Sequence, residues 1–461
     1  MIHTLRRILA IATGKILIIT GKLFGKRSSA APGKVVMRIA PDILQHLASQ
    51  VRHGIIVVCG TNGKTTTNNL IYTLLSKKGY KVVCNRLGAN MLYGAVTAFV
   101  DAAKMNGNVD ADYACIEVDE LSAVNVFEHF TPTYIVITNL FRDQLDRYGE
   151  IDITIGSLKR AAAMADGATL ILNADDPLLV AFGKQSDAKC VYFGVNSEPR
   201  NIIFGSGLTC ETKESRFCRL CGAELEYEAY YYSQIGRYSC SSCDFARPVP
   251  EYTAENINLS CGIAFDVCTA SDGSVEHITA NYRGFYNIYN MLAAYAVLRQ
   301  CDIRTDDINE TFANLRPQIG RMETFTIGDK QVVLNLSKNP AGFNQAISTL
   351  TTDMRKKAIV LVINDNEQDG RDISWLWDVD FERLFGIADN IIVSGLRAND
   401  MLLRMKYACF DMDNVSINPK VKEAITFALL SDCDVVYTLV NYTALFSTHD
   451  WLNRMERVKK I

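Results

Sequence analysis

What this chain of 461 residues lacks narrows its class before any motif is read. It has no apolar run near the roughly eighteen residues that a bilayer crossing needs, because the apolar stretch at its N-terminus is broken by Lys15 and Lys22. It has no internal repeat and no low-complexity tract. Its six histidines (His3, His46, His53, His129, His277 and His449) fall in no catalytic pattern with a cysteine, and no cysteine sits in a G-x-C-x-G elbow. With 21% charged and 48% hydrophobic residues it is too apolar for disorder, and its length corresponds to about three domains. A peptide hormone or a disulfide mini-scaffold is excluded.

Acidic residues are missing from residues 1–38, which carry Arg6, Arg7, Lys15, Lys22, Lys26, Arg27, Lys34 and Arg38. Within a net charge of −3 the arm is therefore +8 and the remainder −11. A weakly acidic body supplies no general field for nucleic acid, so the arm acts locally. Lys15, Lys22 and Lys26 share one face of a helix, which suits a basic amphipathic segment lying in a membrane interface with its apolar side down. A helix packed on the protein's own body or on a partner subunit fits the same pattern. A secretory signal fits less well, since lysines interrupt the apolar stretch and the small residues Ser28 to Ala31 follow a basic segment. The expected location is the cytoplasm or the inner face of the cell membrane.

Of the 14 cysteines, Cys59, Cys84, Cys115, Cys190 and Cys433 stand alone in apolar runs and read as core thiols. Four others differ. Cys218, Cys221, Cys240 and Cys243 form C-x2-C-x18-C-x2-C, the knuckle spacing by which two hairpin turns offer four thiolates to one zinc ion. Four thiolates leave no open coordination position, so the zinc is expected to be structural, in an insertion too small to bury its own core.

Beyond the arm (1–37), the apolar runs at 55–60, 80–85, 113–118, 133–139, 169–174 and 189–195 read as strands with helices between most of them, the pattern of a parallel sheet covered on both faces. The pattern dissolves at about 200–250, where the four zinc cysteines lie, and resumes before a long helix around 287–300. A second run of strands at 330–336, 357–365, 390–395 and 434–441 reads as a separate doubly wound α/β domain. The expected division is a central domain at 38–320 and a C-terminal domain at 321–461.

Gly60-Thr61-Asn62-Gly63-Lys64-Thr65-Thr66 falls between the first strand and its helix, where backbone N–H groups can cradle phosphates. Lys64 would meet phosphate charge and Thr65 would offer its hydroxyl to Mg²⁺. The motif is a shortened Walker sequence, with Val58 where the full pattern has glycine. Glu117, at a strand end with Asp119 and Glu120 behind it, can hold the metal.

These residues resemble the Mur ligase and folylpolyglutamate synthase family, ATP-dependent enzymes that activate a carboxylate as an acyl phosphate for attack by an amine. The resemblance rests on GTNGKTT, on IEV with Glu117, and on Thr138–Gly149. It continues through Leu172–Pro177, Asn287–Ala294 and Gly320–Glu323, all in the family's order. It implies a Mur ligase-type central ATPase domain with a zinc-ribbon insertion, followed by a Rossmann-like α/β domain. It further implies that Lys64, Thr65 and Glu117 are phosphate and Mg²⁺ residues, that Asn287 and Asn290 contact the nucleotide near adenine, and that Arg321 is a hinge arginine reaching it. By themselves Asp175-Asp176-Pro177 read as a turn starting a helix, and Asn287 with Asn290 as one polar helix face.

The departures from the family pattern point to an unusual substrate. Gln144 replaces the histidine of the D-H-L-D segment, and Asn335-Leu336-Ser337-Lys338-Asn339-Pro340 replaces D-Y-A-H-x-P. Only 59 residues precede Gly60, too few beside the arm for a UDP-binding first domain. With the zinc-ribbon insertion and Asn364–Glu382, these features resemble the branch of the family that serves as synthetase subunit beside a GatD-like glutamine amidotransferase. The resemblance implies amidation of the α-carboxyl of D-glutamate in the lipid II stem peptide to D-isoglutamine, with ammonia from that partner. It also implies that the C-terminal domain lends a carboxylate to the partner's cysteine–histidine pair. Asp369 and Asp372 are both candidates, and both also read as ordinary turn and helix-cap residues. Trp375 and Trp377 fit either an interface or a core. Two other readings stay open: a stand-alone amino-acid ligase like the folylpolyglutamate synthases, and a zinc-ribbon NTPase that ligates nothing.

Overall fold

The computed structural model describes residues 2–23, 30–86, 89–142, 151–197, 215–260, 262–303, 306–314, 318–388 and 390–458. Asp143, Gln144 and the rest of the 143–150 segment, with Lys26 and Arg27, lie outside the described residues.

The chain opens with α1 (Ile2–Leu23), α2 (Ala31–Ile39) and α3 (Ile43–Ala48). An alternating series follows: β1 (Gly54–Cys59), α4 (Lys64–Lys77), β2 (Val82–Cys84), α5 (Leu92–Ala102), β3 (Tyr113–Glu117), α6 (Ala123–Phe127) and β4 (Tyr134–Ile137). It continues with α7 (Ile151–Met164), β5 (Thr169–Asn173), α8 (Pro177–Lys184) and β6 (Lys189–Val195). A hairpin of β7 (Leu225–Tyr232) and β8 (Ile235–Cys240) interrupts it, before β9 (Tyr252–Asn258), β10 (Ile263–Thr269), β11 (Val275–Ala280), α9 (Tyr286–Gln300) and α10 (Asp306–Asn314).

Strands β1–β6 and β9–β11 form one nine-stranded sheet in the order β11-β10-β9-β6-β5-β4-β1-β3-β2. The pairings from β2 to β9 are parallel, and β9-β10-β11 form an antiparallel edge. Parallel strands need cover on both faces, and β1 and β3 are accordingly apolar almost throughout. One face packs on α4 and α9 through residues such as Leu70, Ile71, Met291 and Leu292; the other packs on the early helices through Val36, Phe99, Val100 and Phe127.

The second lobe holds β12 (Glu323–Ile327), β13 (Lys330–Leu336), α11 (Pro340–Thr352), β14 (Lys357–Val362), β15 (Asn390–Ser394), α12 (Ala398–Tyr407), β16 (Val415–Ile417), α13 (Val421–Leu430), β17 (Val435–Val440) and α14 (Tyr442–Val458). Its six-stranded sheet runs β12-β13-β17-β14-β15-β16, parallel apart from the β12-β13 pair, with a hydrophobic core on each face. This is the α/β, doubly wound arrangement expected from the strand spacing.

The basic arm forms α1 and α2, and the inner face of α1 packs on the body. Ala10 and Ile11 are fully buried. Gly14 lets α1 approach closely, since a Cβ there would meet Val36 and Val100 at 2.7 Å. Lys15 Nζ donates to the Asp101 carbonyl at 2.9 Å, and Arg7 pairs with Asp42.

Candidate active site

Three neighbouring strands end at one place. β1 runs into Gly60–Gly63, β3 ends at Glu117, and β4 leads to Thr138 and Asn139, so the loop lies at the carboxyl edge of the sheet, where open α/β folds bind ligands. Gly63 takes φ +87° at the start of α4, and a Cβ there would run into the Asn290 carboxamide. Glycine is required by both the backbone and the neighbour. Thr61 is fixed from both sides: its N–H donates to the Asn139 carbonyl at 2.9 Å, and its hydroxyl bonds the Phe141 backbone at 2.9 and 3.1 Å. The Asn62 N–H donates to Asn139 Oδ1 at 2.9 Å. Thr66 is buried in the first turn of α4.

Lys64 is buried, and its ammonium donates to the Gly60 carbonyl at 2.5 Å and to Glu120 Oε1 at 2.9 Å. Glu120 Oε1 also accepts the Gly60 N–H at 2.7 Å. The lysine is thus held by its own loop and one carboxylate beside the helix N-terminus.

Glu117 is 3% exposed, and its Oε2 is buried without a hydrogen-bond partner. Burial pushes its carboxyl above the ordinary range, opposed by the Lys64 ammonium, the Thr65 hydroxyl, the Arg321 guanidinium and the Asn90 amide. A dry carboxylate oxygen left open between a threonine hydroxyl and a phosphate loop is a donor set that fits a hard cation such as Mg²⁺. The structure thus brings Lys64, Thr65, Glu117 and Arg321 together.

Asn287 and Asn290 sit on the first turns of α9, joined by a hydrogen bond of 2.9 Å from Asn290 Nδ2 to Asn287 Oδ1, with Asn287 Nδ2 donating to the Arg283 carbonyl at 2.7 Å. Asn290 Oδ1 lies 3.5 Å from the Thr67 hydroxyl, so this pair abuts the phosphate loop itself. The buried Ser157 hydroxyl reaches the Glu120 carbonyl at 3.1 Å.

The second lobe closes on the same place with its own carboxyl edge. Asn339, the N-cap of α11 just after β13, exchanges carboxamide hydrogen bonds of 3.1 and 3.4 Å with Asn62. Gln318 Nε2 reaches the Thr65 carbonyl at 3.4 Å, Arg142 lies 3.9 Å from Asp378, and Tyr442 is close enough to Glu117 to feel its charge. At the junction the Gly320 N–H donates to Glu323 Oε2 at 3.2 Å, and Glu323 pairs with His449 at 3.3 Å. The sequence assigns no role to Asn339, Glu120 or Tyr442: Asn339 stands out there only as a departure from the family's pattern, and Glu120 only as a carboxylate behind Glu117.

Asp369 and Asp372 follow β14 but differ in setting. Asp369 is 4% exposed, with Oδ1 accepting the Thr443 N–H at 2.8 Å and Oδ2 the Thr443 hydroxyl at 2.5 Å, which ties the loop to the start of α14. Asp372 is half-buried and accepts from the Ser374 N–H at 2.8 Å and hydroxyl at 2.9 Å. Trp375 is core, packed on Phe343, whereas Trp377 is 52% exposed, edge-on to Tyr407 and over Arg404.

The four sulfurs of Cys218, Cys221, Cys240 and Cys243 lie within 4.8 Å of one another, with closest pairs at 3.5 and 3.7 Å. Four thiolates around a tetrahedral metal with bonds of about 2.3 Å stand about 3.8 Å apart, so the cluster fits one ion. The Leu220 and Ser242 N–H groups point at the Cys218 and Cys240 sulfurs, both at 3.4 Å, as metal knuckles do. The hairpin between them reaches the catalytic sheet. Gln234 Nε2 donates to the Leu140 carbonyl at 2.6 Å, and Arg247 pairs with the buried Asp175 at 2.5 Å. Asp176 caps α8 by accepting the Leu178 N–H at 3.0 Å, and it also takes the Leu140 N–H at 2.9 Å. Burial pushes its carboxyl up to about 7. The aspartates of Leu172–Pro177 thus cap a helix and anchor the hairpin.

Comparison with known proteins places this geometry. The family descriptions "Mur ligase middle domain" and "MurT ligase C-terminal" match residues 58–241 and 336–445. The "Lipid II isoglutaminyl synthase (glutamine-hydrolyzing) subunit MurT" of Staphylococcus aureus strain COL is 35% identical over 98% of both chains. The protein of the same name from Streptococcus pneumoniae is 33% identical over 94% of both. Among solved structures, a pseudomurein peptide ligase type C from Methanothermus fervidus aligns with a TM-score of 0.70 at 22% identity, covering 89% of this chain and 80% of that one. MurF ligase from Thermotoga maritima in complex with ADP aligns at 0.62 and 14% identity, covering 92% and 84%. The structural likenesses show a shared fold.

Proposed function

The chain belongs to the MurT family, and from that premise we propose that it is the ATP-driven synthetase subunit of a lipid II isoglutaminyl synthase, a carbon–nitrogen ligase of peptidoglycan synthesis. The observation that carries the reading is the Glu117 pocket: a buried carboxylate with one open oxygen, set against Thr65, Lys64 and Arg321 at the end of a phosphate loop.

The N–H groups from Gly63 into the first turn of α4 receive the phosphates of ATP, while those of Gly60, Thr61 and Asn62 are held by Glu120 and Asn139 and fix the loop's shape. Lys64 exchanges the Gly60 carbonyl and Glu120 for phosphate oxygens, Arg321 brings a second cation from the hinge, and Asn287 with Asn290 sets the nucleotide side of the loop. Thr65 and Glu117 would hold Mg²⁺, which when bound neutralises charge on the transferring phosphoryl group. The γ-phosphoryl passes to an oxygen of the D-glutamate α-carboxylate and ADP leaves. Ammonia then attacks the carbonyl carbon of the acyl phosphate, the carbon–oxygen bond to phosphate breaks, and the nitrogen loses a proton to give the amide of D-isoglutamine. Cys218, Cys221, Cys240 and Cys243 would hold Zn²⁺ as a structural staple, consistent with four thiolates and amide-bonded knuckles.

Ammonia comes from a GatD-like glutamine amidotransferase, since among these residues no cysteine–histidine pair suits a glutaminase. Asp372 is the carboxylate lent to that partner, because a docked subunit can reach it, while Asp369 has both oxygens committed to Thr443 and positions the loop.

The test is ATP turnover by the chain purified with its glutaminase. ADP release is expected only with lipid II and a nitrogen source, to be abolished by Lys64→Ala, while Asp372→Asn removes activity with glutamine but not with ammonia. Turnover to AMP, or full activity toward a small carboxylate and a free amino acid without the partner, overturns the reading.

A further inference from the structure

The face of α1 turned away from the body is a continuous apolar stripe. Leu5, Leu9, Ile16, Ile19 and Leu23 are between 57% and 79% exposed. At about 100° per residue they fall within roughly 40° of one line along the helix, and the line is about 27 Å long. The opposite face cannot be exchanged for it, because Ala10, Ile11 and Gly14 are locked against α2 and α5. The helix is therefore docked by one side and presents the other.

The charges of the arm have one sign. Arg6, Lys22, Lys34 and Arg38 are exposed, and no acidic residue occurs in residues 1–38. Asp42 and Asp101, the carboxylates that approach the helix from the body, are met by Arg7 and Lys22. The stripe is purely aliphatic, without the tryptophan, tyrosine and arginine anchors that concentrate binding energy in protein interfaces. A straight aliphatic line on a helix edged by lysine and arginine is the chemistry of a surface that enters the headgroup–acyl boundary of an anionic bilayer.

We propose that the outer face of α1 docks the protein on an anionic lipid membrane, the aliphatic stripe entering the acyl boundary and the arm's cations meeting lipid phosphates. The inference stands on α1 alone; it agrees with a lipid-linked substrate but does not depend on one.

The experiment is flotation of the full chain, with its glutaminase partner, on vesicles of phosphatidylglycerol mixed with phosphatidylcholine and on phosphatidylcholine alone. Binding to the anionic vesicles is expected, weaker to neutral ones, and weakened by salt. The double variant Leu9→Glu/Ile16→Glu should lower partitioning roughly tenfold or more, while Met354→Glu, a change at an exposed methionine of the second lobe, should leave it unchanged. Both altered sites are exposed, so an unchanged thermal unfolding curve verifies the fold. The proposal is overturned by absence of binding to anionic vesicles, by undiminished binding of the double variant, or by a stripe-dependent dimer in sedimentation without flotation. Because flotation needs neither ATP nor lipid II, its failure leaves the catalytic reading standing, and the converse also holds.

Discussion

Replacing Arg247 by methionine removes one of the contacts that tie the segment around the cysteine hairpin to the sheet. Asp175 is fully buried; its Oδ1 accepts from Arg247 Nε at 2.5 Å, and its Oδ2 from the Val195 N–H at 2.8 Å and the Tyr289 hydroxyl at 2.7 Å. Methionine keeps much of the volume and removes the cation. Breaking a buried ion pair from one side costs about 3–5 kcal/mol because the remaining charge is left uncompensated, and the two surviving donors put this case near 3 kcal/mol. The three tryptophans, Trp375, Trp377 and Trp451, all lie in the second lobe, so their fluorescence serves as an internal control. Hydrogen exchange of the β5 and β6 amides should show opening made easier by about 3 kcal/mol while the tryptophan transition stays in place. The pH dependence follows from the same carboxyl. Burial already raises Asp175, opposed first by Arg247, and loss of the arginine raises it further. A carboxyl raised in the folded state disfavours folding fully above its folded pKa, and this penalty disappears as pH falls toward its ordinary value near 4. The gap between wild type and variant should therefore narrow from pH 8 to pH 5. A loss below about 1 kcal/mol, or a gap that widens on acidification, refutes the reasoning.

Three other outcomes are expected. Gly63→Ala should weaken ATP binding roughly tenfold or more, since alanine at φ +87° costs about 1–2 kcal/mol in addition to the collision with Asn290. Measured against Asn290→Ala alone, adding Gly63→Ala should cost only the backbone part of that loss, as titration calorimetry can read. On the proposal that the cysteine cluster holds Zn²⁺, treatment with a chelator should loosen the Gln234–Leu140 bond behind the phosphate loop. ATP affinity should then fall by about threefold to tenfold, the equivalent of one hydrogen bond, and return on adding Zn²⁺. On the proposed docking of a glutaminase subunit at Asp372, Trp377→Ala should weaken its capture by roughly thirtyfold, about 2 kcal/mol, measured by surface binding, with little change in thermal unfolding because the ring is 52% exposed.

Features encoded in adjacent residues were legible from sequence. The phosphate loop, Glu117 at its strand end and the four-cysteine spacing each need only local order, and the parallel strands announced themselves as short apolar runs because both faces are covered. What escaped was contact between distant segments. Nothing near Asn339 signals that it meets Asn62, and nothing near Arg247 signals Asp175, because both pairings arise only when the lobes or the hairpin fold back. Asp369 and Asp372 read alike in sequence and separate only through Thr443, which lies beyond β17. The arm showed the opposite limit. Its helical period was plain, but the pattern could not say that one side packs on Val36 and Val100 while the other stays bare.

The step on which the catalytic reading turns is phosphoryl transfer to the substrate carboxyl. It is tested most directly with lipid II carrying ¹⁸O in the D-glutamate α-carboxyl, turned over with ATP and ammonia by the chain and its partner. Transfer of one labelled oxygen into each inorganic phosphate released is expected, because the carbon–oxygen bond breaks when ammonia displaces phosphate. Amide formation with unlabelled phosphate, or with the label recovered in AMP, would contradict it.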